Sequence, residues 1–311
     1  MQNKKTFKIV ILKHGGGELA NQLWNYISIM AFGLEQNIPV CNPSFFEYHS
    51  FFRFLSKESF VTKIRAVFFR QTRRRSHIIN KIARFKYSII SKIISKIHKQ
   101  CVFSSENVEN RSVFLPPTFS LPDKFKRCGN IYFTGWLFRN PIGLKKFRNE
   151  LISAFRPNNH IEKKIQNIIG PFRKKYEKII GIHIRQADYK IFKDGKYLIP
   201  QDRIREIINE YVRENIIDTN KTLFLITSDG PIDDSLFKNL NIYISGENSV
   251  VDLFLLSKTD VILGSDSSFG ALASWFGDIP HIIFKKESID WKYYSNKTSF
   301  FENKFSTLIQ Y

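Results

Sequence analysis

Three short polar clusters in the second half of the chain have the residue types best suited to chemistry. They are RQADY at 185–189, SDG at 228–230 and GSDSSFG at 264–270. Each cluster directly follows an apolar run of the length of a buried strand. Because ligands of open α/β sheets bind beyond the carboxyl ends of the strands, the three clusters predict one binding site at a common sheet edge.

A diphosphate is the ligand that these residue types fit best. Arg185 can donate two parallel hydrogen bonds to phosphate oxygens. Ser267 and Ser268 stand where a helix is predicted to begin, so they offer hydroxyls, backbone N–H groups and the positive end of a helix dipole. Simpler interpretations remain open: a plain N-cap for the serine pair, and an ion pair between Arg185 and Asp188.

The elements that must position these residues form a repeating pattern. Apolar runs of a few residues alternate with helical patterns between residues 178 and 284. This alternation is typical of βαβ units on a parallel sheet, and strands that are apolar on both faces indicate helices on both sides. The run 178–184 is the first of these strands, and it carries His183 near its end.

The first half of the chain begins in the same way, with an apolar strand pattern at 7–12 and a helical pattern at 19–36. A second helical pattern at 144–155 ends at Arg156-Pro157-Asn158-Asn159, which marks a boundary. The sequence therefore predicts an α/β protein of two Rossmann-like domains that face a cleft. The domains are 1–156, with a basic helical insert at about 60–100, and 157–311.

Four segments resemble the α-1,2-fucosyltransferases of glycosyltransferase family 11. Residues 183–189 (HIRQADY) resemble that family's HxRRxDY motif, and residues 15–26 (GGGELANQLWNY) look like its GGLGNQLFQY segment. Residues 132–140 resemble its GYF stretch, and residues 265–269 (SDSSF) its SNSSFSWWGA block. The blocks occur in family order and span most of the chain.

The resemblance implies a GT-B fold and a galactoside α-1,2-fucosyltransferase. Such an enzyme moves fucose from GDP-fucose with inversion, and it needs no metal or other cofactor. The acceptor implied is a galactoside of a surface glycan, such as a lipopolysaccharide O-antigen or a capsule. Arg185 would hold the donor diphosphate and stabilise the leaving GDP, with His183 and Asp188 shaping the pocket. The other residues with an implied binding role are Ser267, Ser268, Asp229, Asp252, Gly17, Asn21 and Gln22.

The chain also departs from the family pattern. Gln186 replaces the second arginine, Ala187 a glycine, and Gly230 the second aspartate of an (S/T)DD pattern, while ELANQ at 18–22 stands where LGNQ is usual. Loss of one preorganised electrostatic donor typically costs about 10²–10³ in rate. A catalytically degenerate homologue that still binds a nucleotide sugar is therefore an alternative.

A dinucleotide-dependent oxidoreductase is the second alternative. Residues 15–20 fit GxGxxG/A between a predicted strand and a predicted helix, as the NAD(P) fingerprint requires. However, Cys41 and Asn42 stand where the acidic residue of that fingerprint is expected, at the end of the second strand.

The charge favours anionic partners. The chain has 48 Lys and Arg against 28 Asp and Glu, for a net charge of +20. Nucleic acid is disfavoured, because the basic run has few aromatic residues and no RRM, KH or zinc pattern. No acidic residue occurs between Ser59 and Ser105, where isoleucines recur at helical spacing among Lys and Arg. This pattern predicts either a basic amphipathic helix on an anionic membrane, near lipid-linked acceptors, or a helix that packs its isoleucines on the domain.

Cysteine usage and hydropathy give the expected compartment. Cys41, Cys101 and Cys128 are too few and too scattered for a disulfide framework, so they are predicted to be reduced. No apolar run reaches the about 18–20 residues of a membrane span, and the N-terminus has no secretory h-region. Neither a DxD motif nor a suitably spaced histidine pair predicts a metal site. We expect a cytoplasmic protein with peripheral contact to the inner face of the membrane.

Overall fold

The computed structural model describes residues 7–13, 17–53, 78–104, 113–135 and 138–294. The chain divides into two compact units between Asn159 and His160. The sequence predicts this boundary slightly earlier, after residue 156. Each unit has a parallel sheet of its own, in agreement with the predicted α/β class.

The N-terminal unit is built on a four-stranded parallel sheet in the order β2-β1-β5-β3, with a two-stranded parallel pair, β4 and β6, beside it. An aromatic cluster forms part of its core, because rings of β3, β5 and β6 contact one another at Phe103, Phe133 and Phe138. The elements are β1 (Lys8–Lys13), α1 (Leu19–Gln36), β2 (Val40–Cys41), α2 (Ile78–Ile97), β3 (Val102–Ser104), β4 (Val113–Phe114), β5 (Asn130–Thr134), β6 (Phe138–Arg139), α3 (Pro141–Lys146) and α4 (Arg148–Ala154).

The single helix predicted over 144–155 is wrong, since two helices occupy this region. Helix α3 begins earlier because the Asn140 side chain caps it, accepting a hydrogen bond from Gly143 N at 2.8 Å, and because Pro141 occupies the first helical position. Phe147 ends α3 and precedes α4 with φ −107°, which is not helical. An interruption of one residue leaves the spacing of the apolar residues almost unchanged, so the sequence pattern does not reveal it.

The C-terminal unit is a five-stranded parallel sheet in the order β11-β10-β7-β8-β9. The central strand β7 is buried over six of its seven residues, so both of its faces are covered by helices and loops, as the apolar run predicted. The elements are α5 (Asn159–Lys175), β7 (Lys178–Ile184), α6 (Gln201–Glu214), β8 (Thr222–Ser228), β9 (Asn241–Ile244), α7 (Ser249–Leu256), β10 (Val261–Gly264), α8 (Ser268–Gly277), β11 (His281–Ile283) and α9 (Trp291–Tyr294).

The prediction that all cysteines are reduced is wrong, because Cys101 and Cys128 form a disulfide with Cα atoms 5.9 Å apart. Cys101 directly precedes β3, and Cys128 lies two residues before β5. These two strands pair in parallel, so their amino ends, and with them the cysteines, come together across 27 residues of sequence. The disulfide removes the cysteine argument for a cytoplasmic location, since disulfides are rare in reducing compartments.

Helix α2 is the described part of the basic insert, and residues 60–77 lie outside the described residues. A narrow face attaches it to the N-terminal unit: Ala83 is buried, Tyr87 Oη donates to Leu12 O at 2.8 Å, and Arg84 pairs with Glu47. The expectation that the isoleucines pack on the domain is wrong for the large apolar side chains on the opposite side. Those 39–70% exposed are Ile82, Phe85, Ile89, Ile90, Ile93 and Ile97. Within the described ranges, no helix, α2 included, combines the length and the apolarity needed to span a bilayer.

Candidate functional site

The three polar clusters meet at one edge of the C-terminal sheet. Strands β10, β7 and β8 are adjacent and parallel, and His183 lies opposite both Gly264 and Thr227. The residues that follow these strands are therefore neighbours, and Arg185 N donates to Ser265 Oγ at 3.0 Å. The geometry thus brings together residues that the sequence placed at three separate strand ends.

Arg185 lies at the centre of this edge between two carboxylates. Its Nε and Nη2 donate to Asp188 at 2.9 and 3.0 Å, and Nε is also 3.0 Å from Asp229 Oδ2. The guanidinium lies 5.7 Å from the centre of the Tyr189 ring, and the side chain is 19% exposed. The ion pair with Asp188 that the sequence left open is present, so an incoming anion must compete with two carboxylates.

The electrostatics of Asp188 follow from this pairing. Burial pushes its pKa upward, but the hydrogen bonds and positive charge of Arg185 outweigh that effect and hold the pKa below its ordinary value. A carboxylate that is stabilised in its ionised form is a weak proton acceptor. Asp188 is therefore better suited to holding Arg185 than to acting as a base.

Asp229 joins the end of β8 to the turn after β7. Its Oδ1 accepts hydrogen bonds from Gln186 N at 2.6 Å and from Ala187 N at 3.2 Å, while its other oxygen faces Arg185. One carboxylate thus fixes both the backbone of the turn and the guanidinium that the turn carries.

His183, on β7, connects the end of β8 to the start of α8. Its Nε2 lies 3.1 Å from Ser267 Oγ, its Nδ1 lies 3.3 Å from Thr227 Oγ1, and its ring stacks on Phe269 with centroids 4.9 Å apart. Burial, reinforced by the positive charge of Arg185, lowers the pKa of His183 to about 3. The imidazole is therefore neutral at physiological pH and acts as a fixed hydrogen-bonding group.

The two serines have different environments. Ser267 is the N-cap of α8, and its hydroxyl accepts from Gly270 N at 3.4 Å as well as contacting His183. Ser267 is 7% exposed, whereas Ser268, the first residue of α8, is half-buried. The N-cap interpretation is correct for Ser267, and the start of α8 presents Ser268 and the positive end of its dipole at the same edge as Arg185.

Gln186, which replaces an arginine of the resembling family, points into the protein. Its Nε2 donates to Ser228 Oγ at 3.0 Å and to Pro231 O at 2.8 Å, and its Oε1 accepts from Gln201 Nε2 at 3.2 Å. The residue is 7% exposed. Gln186 therefore ties the β7 turn to the loop after β8, and an arginine in this place would bury its charge.

Asp252 lies near the carboxyl end of β9. It is in the first turn of α7 and accepts a hydrogen bond from the hydroxyl of Ser245, which follows β9. The structure thus places Asp252 beside the residue that follows β9, at the carboxyl end of that strand.

In the N-terminal unit, the predicted binding residues surround the start of α1. Gly17 has φ +75°, and a Cβ there would come within 2.7 Å of the Asn21 side chain, so the position requires glycine. Gln22 Nε2 donates to Gly17 O at 3.2 Å, and Gln22 is 1% exposed. Of the dinucleotide fingerprint at 15–20, Gly15 and Gly16 lie outside the described residues, while Gly17 and Ala20 are described.

Sequence reasoning missed several residues of the site. Thr227 and Ser265 bond the centre of the cluster, and Phe269 stacks on His183. A polar residue closing an otherwise apolar strand, as Thr227 does, is the one available signal. Over the described part of the chain, no group of three or more His, Cys, Asp or Glu side chains is placed to hold a metal ion.

The fold is of the GT-B type, and it is similar to the fold of solved fucosyltransferases. POFUT1 in complex with GDP-fucose superposes with a TM-score of 0.53 at 12% identity, over 92% of this chain and 99% of that one. A mutant of Arabidopsis thaliana FUT1 with GDP gives 0.52 at 12% identity, over 92% and 72%. The fucosyltransferase NodZ from Bradyrhizobium gives 0.52 at 10% identity, over 90% and 95%.

At 10–12% identity, these comparisons establish a similar fold only. No family model matches the chain. No curated protein matches it in sequence.

Proposed function

We propose that this protein is a fucosyltransferase that uses GDP-fucose as its donor. The observation that carries the proposal is the meeting of Arg185, Asp229 and the start of α8 at one sheet edge. The fold adds support, because solved proteins with this fold include complexes with GDP and with GDP-fucose. The sequence resemblance extends the proposal to an α-1,2 linkage on a galactoside of a surface glycan.

The proposed reaction is a single displacement without a metal. The acceptor oxygen bonds to C1 of fucose while the bond from C1 to the β-phosphate oxygen breaks, and its electron pair leaves with GDP. The acceptor proton passes to a base. Negative charge therefore develops on the diphosphate, where Arg185 and the dipole of α8 would stabilise it. Inversion at C1 follows from one displacement through an oxocarbenium-like state.

The surrounding residues would act by position. Asp188 and Asp229 orient the guanidinium, and neutral His183 fixes Ser267 and with it the start of α8. Ser268 is proposed to contact phosphate. The resemblance also assigns binding roles to Asp229 and Asp252, near the nucleoside, and to the start of α1.

Replacement of Arg185 is the most direct test. Arg185→Ala should lower the rate of fucosyl transfer by about 10²–10³. The circular dichroism spectrum should stay unchanged, and unfolding should remain cooperative. Arg203→Ala is the matched control, because Arg203 also pairs with two carboxylates and is 17% exposed, but it lies on α6. Near-normal turnover in Arg185→Ala would refute the assignment.

A donor screen separates the proposal from its alternatives. GDP-fucose, GDP-mannose, UDP-galactose and NAD would each be titrated calorimetrically, and each bound sugar nucleotide would be tested for transfer. Tight binding of NAD but not of GDP-fucose supports the oxidoreductase. Binding of GDP-fucose without transfer to any galactoside supports the degenerate homologue.

We also propose that α2 docks the protein on an anionic membrane. Ile82, Phe85, Ile89 and Ile93 follow one another at intervals of three or four residues, so their exposed side chains form one stripe. The helix has no acidic residue, and its exposed lysines are Lys81, Lys86, Lys92 and Lys96. An apolar stripe with basic flanks matches the interior and the headgroups of an anionic leaflet.

Vesicle co-sedimentation tests this docking. The protein should sediment with phosphatidylglycerol-containing vesicles and much less with pure phosphatidylcholine, and Ile89→Asp/Ile93→Asp should remain in the supernatant. Ile216→Asp is the matched control, since Ile216 is 93% exposed but lies after α6 in the other unit. Equal sedimentation of the double variant and the control, or indifference to lipid charge, would exclude α2 as the docking surface.

A further inference from the structure

Arg139, the last residue of β6, is a buried cation that the proposed reaction does not use. It is 4% exposed, and its Nη1 donates to Phe138 O at 3.1 Å. In the described ranges, no carboxylate forms an ion pair with it. Burial alone lowers the pKa of Arg139 to about 10, with no contribution from a neighbouring acid. The guanidinium thus stays charged at neutral pH, and the Phe138 carbonyl accepts a hydrogen bond from it.

Helix α1 lines the same region with polar groups whose hydrogen-bonding capacity is also unused. Asn25 Oδ1 accepts from the N–H of Phe138, the neighbour of Arg139, at 2.9 Å. Asn25 Nδ2 is buried and has no hydrogen-bond partner in the described structure, and the same is true of Ser28 Oγ, one turn along α1. A buried amide donor next to the strand that carries a buried cation is an unusual combination.

Burial of these groups is unfavourable unless something compensates it. A buried charge is normally paired with an opposite charge, and a buried donor normally has an acceptor. An uncompensated buried group needs an explanation, and one such explanation is a bound ion or ligand that supplies the missing partner. A group with negative charge and several acceptor oxygens satisfies a guanidinium and an amide donor together.

We propose that Arg139 carries a binding site for a single oxyanion, a carboxylate or a phosphate group, with Asn25 as the adjacent amide donor. The site lies within the N-terminal unit, whereas the Arg185 cluster belongs to the C-terminal unit. Its assignment to a glycan acceptor that bears such a group rests on the proposed function, whereas the anion site itself does not.

Thermal unfolding of the full chain tests the site. The parent would be Arg185→Ala, in which the other proposed anion-binding arginine is removed. Glucuronate and inorganic phosphate would be added separately, with glucose as the neutral control. One of the two anions should raise the Tm by about 4 °C near saturation, and glucose should not. The two arms distinguish a carboxylated sugar from a phosphorylated ligand.

The variant Arg139→Met identifies the residue responsible. It keeps the length of the side chain without the charge, so the anion-dependent rise in Tm should disappear. Without anion, its Tm should equal or exceed that of the parent, because an uncompensated buried charge has been removed. A merely structural arginine predicts the reverse, a lower Tm without anion. Arg139→Lys, which retains the charge but not the fork, should show a reduced rise.

Three results would overturn the site: no rise in the parent, an equal rise in Arg139→Met, or a large loss of Tm in Arg139→Met without anion. An equal rise would mean general screening of a chain with net charge +20. A rise that depends on Arg139 in a protein that fails to bind GDP-fucose would support the anion site and overturn its assignment to a fucosyl acceptor.

Discussion

Acidification should destabilise the protein through His183. The pKa of this buried histidine is lowered from 6.5 to about 3, so the unfolded chain binds a proton between these values that the folded chain does not bind. Stability therefore falls as the pH drops below 6.5. At pH 5 the unfolded histidine is almost fully protonated, which corresponds to a loss of about 2 kcal/mol relative to pH 7.5.

The substitution His183→Gln isolates this effect. Glutamine is neutral at both pH values and can still bond Ser267, so the variant lacks the proton linkage of this one site. Urea unfolding of both proteins at pH 7.5 and pH 5 gives four free energies. We expect the stability advantage of the wild type over the variant to shrink by about 2 kcal/mol at pH 5. His160→Gln, at an exposed histidine of α5, controls for the substitution itself.

Parallel pH dependence in the wild type and His183→Gln would refute the reasoning, because it would mean that His183 titrates alike in both states. If the variant does not fold, the wild type alone suffices. The NMR resonance of the His183 ring should then keep a constant chemical shift between pH 5 and pH 8, and a titration midpoint in that range contradicts a neutral, buried imidazole.

Other predictions concern the disulfide and Gln186. Cys101→Ser should lower the free energy of unfolding by about 3.5 kcal/mol for a closed loop of 27 residues. A reductant should remove the difference, and urea curves that already coincide without reductant would show that the bond does not form. Gln186→Leu should destabilise the protein by about 1–3 kcal/mol, because Ser228 and Gln201 lose a buried partner. Gln186→Arg should also be destabilising, and an arginine variant with unchanged stability and faster transfer would contradict the inward position of this side chain.

The C-terminal sheet could be predicted because local and tertiary signals agree there. Strand β7 was found at its observed bounds, since both of its faces are buried and its residues 179–182 and 184 are apolar. Helix α5 was missed. Its buried residues Ile161, Ile165 and Ile169 recur every four residues, which is a helical spacing, but Pro171 inside the helix argues against a helix that continues to Lys175. Strand β6 has two residues, too few for any periodicity.

The site was predictable in location but less so in its contacts. Strand ends on parallel neighbours must share an edge, which placed Arg185, Asp229 and Ser267 correctly relative to one another. The direction of a side chain after the last strand residue depends on loops from elsewhere in the chain. Gln186 turns inward because its side chain forms hydrogen bonds with Ser228 and Gln201, which are distant in sequence. The disulfide between Cys101 and Cys128 likewise depends on the pairing of β3 with β5, which the sequence pattern does not predict.

The two carboxylates around Arg185 set a threshold for its ligands. An anion can take the guanidinium only if its attraction exceeds that of partners already at 2.9–3.0 Å. Weakly charged metabolites and chloride should fail this competition, while a dianionic diphosphate should pass it. The ion pairs would then favour highly charged nucleotides over small anions, and GDP, which carries about one more negative charge than GMP at neutral pH, should bind more tightly than GMP.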